Sequence, residues 1–366
     1  MLQRHNDLNV NINRLYKEAE VERINSARDA RPSNVWSLAN ALSQVLEAQR
    51  RIRDHIAVTS SVYSIGLSEL CGAEVFLKME HHQTTGSFKL RGATNAILQL
   101  TEEELRRGVA TASTGNHGRA VAYAAKAAGS SATICMSKLV PENKISEIRQ
   151  LGADVRIIGS SYDEAESELV RLVTEEGRVI VHPSDDANII AGQGTIGLEI
   201  VEAVPNVGTV LVPLGSGGLS AGIASAIKGM RPHARVVGLT MERGAAMKAS
   251  LEAGHPVQVK EHQSLADALC GGIGLDNKLT FALCRDLLDD VMLLSEKEIC
   301  TGIRYAYKHE NEVLEGAGAI GIASLLARKI PSVRGPVVIV LSGRNISLDL
   351  HRRVIEGEHF AFGGPW

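Results

Sequence analysis

Aromatic side chains are scarce in this 366-residue chain: Phe, Trp and Tyr together make up 4% of it. Sugar clefts and single-stranded nucleic-acid platforms depend on stacking rings, so both classes are disfavoured. Cysteine is sparse too. The five, at 71, 135, 270, 284 and 300, form no CxxC pair. That argues against zinc and against a disulfide framework, and scattered thiols in odd number suit a reducing cytoplasm. No segment approaches ~18 uninterrupted apolar residues, so no membrane span is expected. The opening MLQRHNDLNVNINRLYKEAEVER lacks the apolar core of a signal peptide, which supports a cytoplasmic reading. Net charge is -3, without the basic balance that nucleic acid binding requires.

Glycine, in contrast, is abundant at 35 residues, in a chain that is 44% hydrophobic and 22% charged. Such a chain buries a sizeable core and has glycine for tight strand-to-helix turns. Residues 1–35 are polar without a sustained apolar face and read as an N-terminal extension. From Val35 to Ile52 apolar residues recur at helical spacing. Beyond it, GVATAS, SATICM, ADVRIIG, RVIVH, VGTVLVPL, ARVVGLT, DVMLLS and GPVVIVLS read as short buried strands. Helical stretches such as RAVAYAAKAAG, SYDEAESELVRLVTEEG and SEKEICTGIRYAYKHE lie between them. The alternation predicts an α/β protein with a largely parallel sheet.

Two loops share one architecture. Gly215, Ser216, Gly217, Gly218 and Leu219 follow strand VGTVLVPL and open helix LSAGIASAIKG. Glycines let the backbone approach a ligand, and a helix start leaves free N–H groups with partial positive charge, so the loop is a phosphate site needing no Lys or Arg. A plain tight turn is the bland alternative. A P-loop is excluded because no Lys stands at the helix start. A dinucleotide fingerprint is weakened but stays open: Gly215 and Gly217 fit, Ser220 replaces the third glycine, and Glu242 lies near the end of the next strand. Ser113, Thr114, Gly115, Asn116, His117 and Gly118 repeat the pattern after strand GVATA and offer a second anion seat. His117 alone is uninformative, since a His at a helix start is more often a cap.

The sharpest segment is Thr85-Gly86-Ser87-Phe88-Lys89-Leu90-Arg91-Gly92-Ala93. A lone Lys is nearly always a solvated charge. Lys89 instead stands beside Phe88, among small residues, at the head of the apolar helix GATNAILQL. Partial desolvation there lowers a lysine pKa and favours Schiff-base chemistry.

GSFKLRGA, then STGNHG, AGQGT, GSGGL and SGRN, in that order from about residue 50 to about 345, resemble the fold type II pyridoxal 5'-phosphate (PLP) family of threonine and serine dehydratases and serine racemase. QTTGSFKLRGA, GNHGRAVAYAAK and VHPSDDANIIAGQGT are particularly similar to serine racemase and its bacterial relatives. LADALCGGIGLDNKLTF, EVLEGAGAIG and LSGRNISLDLH resemble dehydratases of hydroxyectoine breakdown. The resemblance implies a tryptophan synthase β-like fold: two open, mostly parallel sheets with the active site in the cleft between domains. It also implies a homodimer acting on a small amino acid, and β-elimination of water, with racemisation as the alternative. By the same resemblance Lys89 carries PLP and Phe88 packs on its ring. Asn116 bonds the ring hydroxyl, and Gly215 to Leu219 hold the phosphate. Ser342 faces the pyridine nitrogen, and Ser113 to His117 hold the substrate carboxylate. A neutral Ser at the ring nitrogen makes a weaker electron sink and favours prompt loss of a β-leaving group. Glu315 matches a family acid near the Schiff base; a helix-start acid favoured by the dipole is an equal alternative.

Some positions depart from the family. Ser60 and Ser61 replace Pro-Leu before a matching Ser64, and Ala266-Asp267-Ala268 replaces Ala-Asp-Gly. Thr240, Gly244 and Ala246 stand at a divalent-metal site and offer no carboxylate, so no metal is expected. Thr114, the second candidate catalytic group, replaces the Ser that works opposite the lysine in racemases. From the motif order, residues 109–185 are expected as a small inserted domain and residues 36–108 and 186–366 as the large PLP domain.

Overall fold

The computed structural model describes residues 38–360, except 114, 139, 141, 160, 161, 332 and 359. The N-terminal extension and Thr114 therefore lie outside the described residues. The strands are β1 (Ser61–Tyr63), β2 (Val75–Lys78), β3 (Val109–Ala112), β4 (Ala132–Met136), β5 (Asp154–Ile157), β6 (Val179–Ile180), β7 (Thr209–Pro213), β8 (Arg235–Met241), β9 (Asp290–Leu294) and β10 (Val337–Val340). They form a six-stranded sheet ordered β1-β2-β10-β7-β8-β9 and a four-stranded sheet ordered β5-β4-β3-β6. Every neighbouring pair is parallel except β1 with β2.

Each apolar segment that reads as a strand from β3 to β10 is one. β1 and β2 are additional. β1 is three residues at a sheet edge, too short for a periodic signal. β2, Val75–Lys78, ends in a lysine that is fully buried because it meets Glu199, a partnership invisible along the chain.

Parallel strands need helical crossovers, and the helices here cover sheet faces that are apolar on both sides. Leu77, Leu211, Val237, Ile339 and the helix residues Ile320 and Ile322 form one buried core, and Val109, Val121, Ile134 and Ile148 belong to another. The helices Ala187–Ala203 and Gly218–Met230 pack backbone to backbone. A Cβ on Gly222 would stand 2.7 Å from Gly194 N, so only glycine permits this approach.

Several loops leave the carboxyl ends of parallel strands: Ser113 after β3, Val181 to Asp185 after β6, Gly215 after β7 and Ser342 after β10. In open α/β sheets these ends form the ligand crevice.

Candidate active site

Lys89 begins the helix Lys89–Ile97, with Phe88 as its N-cap. Its Nζ donates to Pro183 O at 2.7 Å and lies 5.4 Å from the Phe88 ring centroid. Burial lowers its pKa from 10.5 to about 8. Phe88 N donates to Ser342 O at 3.0 Å, and a bridge pairs Ser87 with Gly343, so the lysine and Ser342 are held side by side.

The Gly215 loop opens the helix Gly218–Met230. Its N-cap Gly217 takes φ +96°, a left-handed backbone that disfavours any side chain. A Cβ there would also meet Met247 Cε at 2.7 Å. No side chain caps this helix, so its first amides keep their donors for a ligand. A Cβ on Gly218 would stand 3.0 Å from Ser184 Cα. The Val181–Ser184 stretch therefore touches both the glycine loop and Lys89.

The Ser113 loop joins the same centre. His117 Nε2 donates to Val181 O at 3.0 Å. Burial, aided by the Lys89 charge, pushes its ring down to about 3, so it is neutral. Ser113 Oγ accepts from Gly115 N at 3.2 Å and Gly118 N at 2.9 Å. Each side chain is thus tied to the fold, while His117 Nδ1 has no partner among the described residues. Among the described residues the loop also offers an anion the backbone N–H of Asn116 and His117 and the Asn116 amide.

Asn116 Nδ2 donates to Glu315 Oε1 at 2.8 Å, and Asn345 Nδ2 donates to Asn116 Oδ1 at 2.6 Å. Asn345 also donates to Thr85 O at 3.1 Å, which ties the lysine segment to the Ser113 loop. Glu315 is the N-cap of the helix Gly316–Leu326, yet its carboxylate makes no cap bond and reaches across to Asn116 instead. Burial, then the nearby Asp267 charge, raises its pKa to about 7, against the opposing pull of Lys144.

Other contributors are not apparent from sequence pattern. Asp185 carboxylate oxygens accept from the amides of Lys278, Leu279 and Thr280 at 2.8–2.9 Å and anchor the joint beside the glycine loop. Lys144 Nζ pairs with Asp267 Oδ2 at 2.9 Å. Behind Lys89, Arg91 binds Glu80 through Nε and Nη2, both at 2.8 Å, and Glu199 through Nη1 at 2.6 Å, while Lys78 also meets Glu199. This charge-balanced buried network pins the helix that presents Lys89. HPSDD and SGRN contained the signal for the Pro183, Asp185 and Asn345 contributions; the buried ion network had none, because Glu199, which Arg91 and Lys78 both meet, is 108 residues beyond Arg91.

A half-buried lysine of lowered pKa, flanked by two glycine-rich helix starts from two different parallel sheets, defines a fold type II enzyme built to hold a phosphorylated aldehyde cofactor. Residues 52–343 match the family described as pyridoxal-phosphate dependent enzyme, and the chain belongs to it, with PLP as its cofactor. A Sinorhizobium fredii protein named "Putative threonine dehydratase" is 62% identical over 87% of this chain and 96% of its own length. The L-threonine ammonia-lyase of Thermotoga maritima is 43% identical over 86% of this chain and 78% of its own. Maize serine racemase superposes with a TM-score of 0.82 at 31% identity, covering 86% of this chain and 96% of that one.

The residues present fit PLP on the structure's own evidence. The lysine is half-buried with no acidic partner among the described residues, and the uncapped glycine-rich loop provides a backbone cradle. Lys89 would carry the cofactor and the Gly215 to Leu219 amides its phosphate. Phe88 would cover the ring, Ser342 would stand at the ring nitrogen, and Asn116 with Glu315 at the ring hydroxyl.

Proposed function

We propose that this chain is an ammonia-lyase that eliminates water from a β-hydroxy amino acid, with threonine and serine as the first candidates. The observation that carries the reading is Lys89. With a pKa of about 8, its amine spends a useful fraction of time neutral near physiological pH. The cofactor supplies an electron sink at the substrate α-carbon. Lys89 Nζ accepts the α-proton. The Asn116 and His117 amides hold the substrate carboxylate. Glu315, titrating near 7, holds or releases a proton beside Asn116. Ser342 leaves the ring nitrogen without a fixed charge, which favours departure of the β-hydroxyl over longer-lived carbanion chemistry. The names of the relatives support the elimination.

Residues 109–185 act in this reading as a small domain that closes on residues 36–108 and 186–366 once substrate carboxylate is bound. The separate four-stranded sheet and the contacts Lys144–Asp267 and Asn116–Glu315 support it. Closure would exclude water from the site.

A hydroxylated, ectoine-derived diaminobutyrate is the finer substrate candidate, supported by the C-terminal motifs. Amino acid racemisation is the second reading, favoured by the likeness to maize serine racemase; it requires Thr114 as the group opposite Lys89. One screen tests all three. Purified enzyme showing a PLP absorbance band is given L-serine, L-threonine, 3-hydroxyaspartate and hydroxylated diaminobutyrates, with keto-acid and D-amino acid detection. Keto-acid release supports the lyase, and D-amino acid alone would replace it with the racemase.

A further inference from the structure

Outside the proposed active site, two histidines and a glutamate converge. His81 and His82 follow β2 in a short turn, and Glu312 lies between the helix Glu296–His309 and Glu315. Glu312 Oε2 is 2.7 Å from His81 Nε2 and 2.9 Å from His82 Nε2. The imidazole centroids are 4.1 Å apart, and the three donor atoms all lie within 4.8 Å of one another. We infer that His81 Nε2, His82 Nε2 and the Glu312 carboxylate form a binding site for a divalent transition metal of the zinc class.

Two neutral imidazoles and one carboxylate are a borderline nitrogen-rich donor set, which suits Zn²⁺ and its neighbours and not Mg²⁺ or Ca²⁺. Metal–ligand bonds of about 2.1 Å put adjacent ligands about 3.0 Å apart at right angles and about 3.4 Å apart in a tetrahedron. The hydrogen-bonded separations of 2.7 and 2.9 Å need to open by about 0.1–0.3 Å for right angles and about 0.5–0.7 Å for a tetrahedron. His81 is fully buried, and its Nδ1 has no partner among the described residues. Its single polar outlet is therefore the Nε2 atom aimed at Glu312. His82 has 45% of its side chain exposed and Glu312 has 18%, so the third side is open to water. That opening gives an ion its route in and solvent ligands their place.

The site borders the catalytic segments on its buried side. His81 N donates to Leu341 O at 2.8 Å, next to Ser342. The chain after His82 runs into the Lys89 loop, and the chain after Glu312 runs into Glu315. A bound ion would fasten these segments from behind, which makes the site a structural clamp and not a second reaction centre. The inference does not depend on which substrate the enzyme takes.

The test uses full-length PLP-loaded protein, stripped with a chelator and dialysed. It is titrated with zinc chloride by calorimetry beside His82→Ala and Glu312→Gln. His82 is exposed, so its removal leaves the fold little changed; metal-free melting curves verify this, and Glu312→Gln supplies an independent second variant. Wild type should take up one more equivalent of Zn²⁺ than His82→Ala, and Glu312→Gln should bind that equivalent at least about tenfold more weakly. Equal stoichiometry and affinity in wild type and both variants would overturn the site and leave the cluster as a hydrogen-bonded pair.

Discussion

Replacing Lys89 with methionine separates what this side chain does for chemistry from what it costs the fold. Burial lowers the Lys89 pKa from 10.5 to about 8. Each pKa unit corresponds to about 1.36 kcal/mol, so holding the ammonium in the folded cofactor-free chain at pH 7 costs about 3 kcal/mol relative to the unfolded chain. The bond to Pro183 O returns roughly 1 kcal/mol of this, and the variant forfeits it. Methionine is similar in length and apolar. Lys89→Met apoprotein should therefore be more stable than wild-type apoprotein at pH 7, by about 1–2 kcal/mol. The sign with pH follows from proton binding. Between pH 8 and 10.5 the folded state binds fewer protons than the unfolded one, so the wild-type deficit is full below 8 and fades as pH rises toward 10.5. Thermal melts of both apoproteins at pH 7 and about pH 9.5 should show a gap that shrinks at the higher pH. The same variant should release no keto acid from any substrate. A gap of equal size at both pH values would refute the desolvation of Lys89, and retained turnover would refute its catalytic role.

Arg91→Met strands Glu80 and Glu199 beside Lys78 alone and should cost about 3–5 kcal/mol in urea unfolding at pH 7; a loss below about 1 kcal/mol would remove the network from the account. Glu315→Gln should flatten the limb of the kcat/KM profile that titrates near pH 7. It should also stabilise the apoprotein increasingly as pH rises from 4.5 to 7, because in that window the unfolded wild-type carboxyl ionises while the folded one, raised to about 7, is held neutral. An unchanged profile would assign Glu315 to the fold alone. Ser216→Asp should weaken PLP binding at least about tenfold with a small change in melting temperature, as a carboxylate among the loop amides repels phosphate. Gly217 is the poorer target, since its left-handed backbone and its packing against Met247 would damage the fold as well. Mg²⁺ should not activate turnover, because Thr240 Oγ1 is turned to Met241 Sδ and neither Gly244 nor Ala246 offers a carboxylate; EDTA-sensitive activity restored by Mg²⁺ would contradict this.

What the sequence made legible was local. The strands β3 to β10 are continuous apolar runs bounded by turn residues, and each carries its own signal. Lys89 stood out because small residues and Phe88 surround it within one segment. The glycine loops stood out because strand, glycine and helix succeed one another without interruption. The opposite holds for charged residues whose meaning lies in a distant partner. Lys78, Glu80, Arg91 and Glu199 carry no local signal of burial, and only their meeting makes a neutral buried cluster. His81 and His82 likewise acquire a role only when Glu312 is brought beside them. Ser113 has a local role of its own: its hydroxyl accepts from Gly115 N and Gly118 N at the start of the helix it introduces. The two kinds of position are linked through the backbone. A lysine can be buried with its pKa lowered only if the helix carrying it cannot shift to release the charge to water. Arg91, fixed by five nitrogen–oxygen bonds from the same helix, supplies that restraint. The reactivity legible at Lys89 is thus maintained by a network that the sequence conceals.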